Sequence, residues 1–79
     1  MLFRSKEVNI VTANNAELEI FLDENPISDN YSGNDVISGK LTTSGSGLYN
    51  IVTSEKPASH LLKIDVSEPG FEIYTFTFG

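Results

Sequence analysis

The chain has 79 residues, 11 Asp and Glu against 5 Lys and Arg, a net charge of -6, no Cys, no Trp and a single His. One domain fits in this length, and because a small chain buries only about 60–70% of its unfolded surface, most of the 39% apolar residues are needed for its core. The negative field repels nucleic-acid phosphates and anionic headgroups, the lack of cysteine excludes disulfides and thiolate chemistry, and no apolar run approaches the roughly 18 residues that span a bilayer.

The start, Met1–Glu7, lacks the apolar stretch of a signal peptide, so the chain reads as a soluble domain without nucleic-acid or membrane contact. Val8, Ile10 and Thr12 then alternate with Asn9 and Val11. After the turn-forming Ala13-Asn14-Asn15, residues Ala16, Leu18, Ile20 and Leu22 alternate with Glu17, Glu19, Phe21 and Asp23. Period two predicts half-buried strands, here a hairpin of strands 8–12 and 16–23. Pro26 has no amide hydrogen for a ladder and ends the second strand. Ser28 to Asp35 reads as a surface loop whose short polar side chains bond their own backbone, with Tyr31 its one large apolar group.

Val36–Thr43 is predicted as a strand with Ile37 and Leu41 on one face, and Ser44-Gly45-Ser46-Gly47 as the turn of a hairpin into Leu48–Thr53. Ser54-Glu55-Lys56-Pro57 is expected to break the chain before a further strand carrying Leu62, Ile64 and Val66. Ser67-Glu68-Pro69-Gly70 is a turn signal ahead of Phe71–Phe78, where Phe71, Ile73, Thr75 and Thr77 share one face and Tyr74, Phe76 and Phe78 the other. About six strands with no helical pattern predict a single all-β domain over 1–79, a small antiparallel β-sandwich or a partly open barrel.

No catalytic constellation emerges. Glu17 and Glu19 lie on a predicted solvent face rather than in the deep cleft a paired-carboxylate hydrolase needs. Asp23, Glu24, Asp29 and Asp35 are weighed as Ca²⁺ ligands in the 23–35 loop and read as turn-forming carboxylates, since their spacing matches no EF-hand loop. His60 has no second His or Cys with which to share a metal, and it falls in phase with Leu62 at a strand edge, as a structural or partly exposed histidine. No cofactor or metal is implied. The aromatic side chains Phe21, Tyr31 and Tyr49 are the candidates for contact with a ligand or partner.

The segments Leu48-Tyr49, Pro69-Gly70 and Phe76-Thr77-Phe78-Gly79, with Phe3-Arg4-Ser5-Lys6-Glu7-Val8 and Leu22-Asp23-Glu24-Asn25-Pro26 upstream, carry a resemblance. They resemble the C-terminal β-domain joined to the thioredoxin-like domain of DipZ-type and related thiol–disulfide proteins. Glu24 stands where that family often has Gly. The resemblance implies a jelly-roll-like, carbohydrate-binding-module-like accessory domain in an extracytoplasmic setting, covalently linked to a thioredoxin-like domain and recognising a glycan or protein. The redox Cys-x-x-Cys of that preceding domain has no counterpart here, so no redox role passes to this chain, which is expected to be non-catalytic. It also implies that residues 1–79 are the C-terminal part of a longer protein. An early strand of the family's sandwich is then missing, leaving a sheet edge open for structural pairing or a homodimer.

Overall fold

A computed structural model describes residues 1–67 and 69–79. The described residues form six strands and no helix: β1 (Leu2–Thr12), β2 (Ala16–Leu22), β3 (Asn25–Pro26), β4 (Lys40–Thr43), β5 (Gly47–Val66) and β6 (Ile73–Phe78). They make one open antiparallel sheet in the order β3-β2-β5-β1-β6, with β4 sharing the β3 side of β2. The fold is all-β and sandwich-like, as the alternating pattern predicts.

Its axis is β5. Strand β1 runs along one edge of β5 from Gly47 to Leu61, and β2 runs along the other from Leu62 to Val66. A single peptide joins the two halves: the Leu61 carbonyl accepts the Asp23 N–H at 2.8 Å while the Leu62 N–H donates to the Met1 carbonyl at 2.8 Å. The remaining edge of β5 is covered by the segment predicted as a free surface loop. Thr53 N–H donates to Tyr31 O at 2.9 Å, Gly33 N–H to Ile51 O at 3.1 Å, and Asn50 N–H to the Asp35 carboxylate at 2.7 Å. Local bonding of the predicted kind survives at Ser32, whose hydroxyl donates to Ser28 O.

Both predicted hairpins are replaced by crossings. Strands β1 and β2 do not pair with each other, and β4 pairs with β2 rather than with β5. Each connector instead carries the chain between the halves of the bent sheet. The Thr43 hydroxyl braces one of them by accepting Ala16 N–H at 2.9 Å and donating to Asn14 O at 2.7 Å. The strand expected over 36–43 shrinks to Lys40–Thr43, because Ile37–Lys40 closes a tight turn with Ser38 and Gly39 at φ 51° and 77°, which exposes Ile37 and leaves Leu41 buried.

The expected break at 54–57 is a bulge inside β5. Between the pairs Ser5↔Ala58 and Glu7↔Thr53, β1 advances two residues and β5 five. The unpaired excess accommodates Pro57, which has no ladder hydrogen to offer, and the Ser54 hydroxyl donates to Lys56 O at 2.8 Å across it. The same irregularity switches the inner face of β1 from Phe3 and Ser5 to Val8, Ile10 and Thr12. A second shift makes Ile51 the extra residue between Val8↔Val52 and Asn9↔Asn50, so that Ile51 and Val52 are both buried. A third, at Tyr74, sets Ile73 opposite buried Thr12 and Phe76 opposite buried Ile10, correcting the face assignment of Ile73. Of the predicted Ser67–Gly70 turn, Glu68 lies outside the described residues, and Gly70 takes φ 80°.

Leu18, Ile20 and Leu22 of β2, Val8 and Ile10 of β1, Ile51, Val52 and Leu62 of β5, Leu41 of β4, and Ile27 and Val36 from the loop share one core. Burying each large aliphatic side chain contributes about 1.5–3 kcal/mol. The loop is drawn tight against β5 at Gly33, where a Cβ would overlap the Asn50 carbonyl and its side-chain oxygen. Gly33→Ala is therefore expected to cost about 2–3 kcal/mol by forcing backbone apart, a drop in Tm of roughly 10 °C or more by differential scanning calorimetry. Gly47→Ala, whose Cβ would sit at ordinary contact distance from the Tyr49 ring, is the control and should change Tm little.

Candidate functional site

The three aromatic candidates do not converge. Phe21 lies half-buried on the outer face of β2 with the Lys63 ammonium 5.4 Å from its ring centroid, beside a concavity of about 280 Å³ shared with Glu24 and Leu61. Tyr49 faces inward, and its hydroxyl accepts Ser44 N–H at 2.8 Å and donates to Ser44 O at 3.2 Å, which pins the β4–β5 connector. Tyr31 is exposed, and it stands where two concavities meet.

One concavity, of about 220 Å³, is lined by Asp23, Asn25, Pro26, Ser28 and His60 on one side of Tyr31. The other, wider and open to solvent at about 530 Å³, is lined by Asn30, Ser54, Glu55, Lys56 and Ala58. The Tyr31 ring meets His60 edge-on at 5.4 Å, and His60 in turn lies 6.0 Å from Phe3, which lies 6.1 Å from Phe78. An aromatic row thus runs from the Tyr31 groove across the inner face to β6.

His60 and Asp23 are joined here although 37 residues separate them. Asp23 closes the β2–β3 turn at φ 54°, a conformation that Asp tolerates better than most residues. There its carboxylate accepts Leu61 N–H at 2.9 Å and meets His60 Nδ1 at 2.6 Å. The Leu61 amide, and after it the His60 ring, hold the Asp23 carboxyl below its ordinary pKa of 3.8. An ionised carboxylate only accepts, so Nδ1 carries the proton. His60 Nε2 is buried without a partner, in a ring that neighbours both Phe3 and Tyr31. The sequence placed His60 at a strand edge. The structure instead places it well inside β5, bracing the wall of the groove.

The other acidic residues spread out. Glu17 and Glu19 sit on the solvent face of β2, with Lys40 and Asp65 opposite Glu19. Asp35 holds the Asn50 amide and Asp29 is exposed. Among the described residues no three His, Asp or Glu side chains gather in metal-binding geometry.

A family model described as the thioredoxin-like C-terminal domain matches residues 1–79. The chain belongs to that family. No curated protein and no solved structure matches it. In this thioredoxin-like C-terminal domain the Asp23–His60 brace draws on sequence signals that are silent taken singly, a carboxylate at a turn and a histidine in strand phase. Only the meeting of β2 with β5 brings them together.

The sign of the Asp23 contribution follows from its lowered pKa. Stability from this carboxylate is fully present above pH 3.8 and is lost as pH falls from there toward the folded-state pKa. Asp23→Asn removes that titration. The urea midpoint of the variant should therefore lie below that of the native chain at pH 6 and fall less steeply between pH 5 and pH 2.5. Parallel declines in the two proteins would show that Asp23 carries no folding-linked proton.

Proposed function

We propose that this domain is a non-catalytic recognition module, accessory to a covalently linked thioredoxin-like redox domain, and that its ligand face is the Tyr31 groove. The observation that carries the reading is the placement of Tyr31, an exposed ring between two concavities whose rims offer Asn25, Asn30, Ser54 and Lys56. Ligand sites combine an apolar surface with a few placed hydrogen-bonding groups, and an aromatic body with a polar tip suits a wet, shallow groove. The flat apolar face of a sugar ring against Tyr31, with its hydroxyls on the flanking amides, is the ligand chemistry that this composition fits best. A carbohydrate-binding use of a jelly-roll-like scaffold is part of the same reading. The net charge of -6 disfavours strongly anionic glycans, so the expected ligand is neutral.

His60 and Asp23 act here as supports. They fix one flank of the Tyr31 ring through the edge contact and tie it to β5. A groove preorganised in this way loses less freedom on binding.

Titration with neutral oligosaccharides at millimolar concentration, followed by amide chemical shifts, should move Tyr31, Asn30 and Lys56. Tyr31→Ala should weaken the apparent affinity about tenfold or more, the loss of about 1.4 kcal/mol or more of ring contact. Absence of shifts at millimolar sugar would overturn the glycan assignment.

A further inference from the structure

The two long edges of the sheet are built differently. On the β2 side the edge strands are short: β3 has two residues, one of them Pro26, and β4 has four, beginning with Lys40. Short strands, proline and lysine are the devices by which sheets avoid edge-to-edge pairing. On the other side β6 has six residues, Ile-Tyr-Thr-Phe-Thr-Phe, with neither charge nor proline. It is the terminal strand of the sheet, and both Tyr74 and Phe78 are exposed.

The direction of its free hydrogen-bonding groups follows from the ladder. Gly79 turns its N–H to Glu7 O at 3.0 Å and its C=O to Lys6 N–H at 3.0 Å, both on β1. Alternation along an antiparallel strand then turns the groups of Thr77 toward β1 and those of Phe76 and Phe78 outward. In keeping with this, the Phe76 carbonyl meets the hydroxyl of its neighbour Thr75 at 3.4 Å.

We propose that β6 pairs antiparallel with β6 of a second copy of this chain, about a two-fold axis at Phe76. That register sets Phe76 against Phe76 of the second copy, Thr75 against Thr77 and Tyr74 against Phe78, so each residue meets its own kind. Aromatic pairs and Thr–Thr pairs are among the favourable cross-strand neighbours, and a self-complementary patch is what a two-fold dimer requires. Charge is compatible with the same surface. Two chains each carrying -6 repel, and β6 itself brings no charged side chain into the pair, with Glu72 before Ile73 and Glu7 beside Gly79 flanking its ends. The partner also extends the aromatic row from His60 and Phe3 through Phe78 and Phe76. One six-residue strand pair lies at the small end of specific interfaces, so the association is weak and half-populated at roughly 0.1–1 mM. The pairing goes beyond the ligand reading and does not depend on it.

Sedimentation equilibrium of the 79-residue chain up to about 1 mM, with two charge variants, tests the strand and the register together. Thr75 and Thr77 are exposed and lie outside the core, so their substitution should leave the fold intact by circular dichroism. The double variant Thr75→Lys with Thr77→Lys sets like charges opposite each other twice and should weaken dimerisation at least tenfold. Thr75→Lys with Thr77→Glu sets opposite charges face to face in this register and should keep or strengthen the dimer. The native chain supplies a second readout that needs no variant. An intermolecular Hα–Hα contact between Thr75 and Thr77 is expected in a mixed-label sample, because these would form a closely spaced, non-hydrogen-bonded pair. A native chain that stays monomeric at 1 mM, or a dimer indifferent to both variants and lacking that contact, would overturn the proposal.

Discussion

One strand has to serve both halves of this molecule. The 20 residues of β5 carry β1 along one edge and, along the other, first the 31–36 segment and then β2. In so small a chain neither half holds enough apolar surface to stand alone, and sharing a spine lets Val8 and Ile10 from one half pack with Leu18 and Ile20 from the other. The cost is geometric, since a strand this long must bend. The register shifts at Ser54–Pro57 and at Ile51 supply the bend and keep the buried faces in phase on either side of it.

The groove is a consequence of that arrangement. Where β5 passes from β1 to β2, the turn that ends β2 delivers Asp23 to Leu61 and His60, and the segment filling the remaining edge delivers Tyr31 to the same imidazole. The features proposed for recognition therefore sit on backbone hydrogen-bonded to β5 rather than on a free loop. Tyr31 is exposed while its own carbonyl accepts a hydrogen bond from Thr53. A ring held in this way can meet a ligand at little cost in ordering.

The alternation of residues 8–12 and of β2 was legible residue by residue, because one face is buried and period two records it. The first six residues of β1, Leu2–Glu7, were not legible as strand, since their inner face carries only Phe3 and Ser5. Pairing was not legible either, and the reason is visible at both misread hairpins. Ala13–Asn15 and Ser44–Gly47 have residues that accept tight turns, yet nothing local distinguishes a turn that reverses a chain within a sheet from one that crosses between its halves. The bulges escaped for the same reason: Pro57 signalled an interruption, but only its partners on β1 make that interruption a kink within one strand. In the groove Tyr31 stood out as a lone aromatic among polar residues. The Asp23–His60 brace did not stand out, since each residue has an ordinary local reading and their meeting rests on contacts between distant segments.

Native-state hydrogen exchange along β5 tests the shared spine most directly. With β5 shared by both halves, the amides of Thr53, bonded to Tyr31, and of Leu62, bonded to Met1, should exchange with one common opening free energy equal to that of global unfolding. Two distinct values, with β2 and residues 62–66 opening while residues 47–53 stay protected, would contradict it.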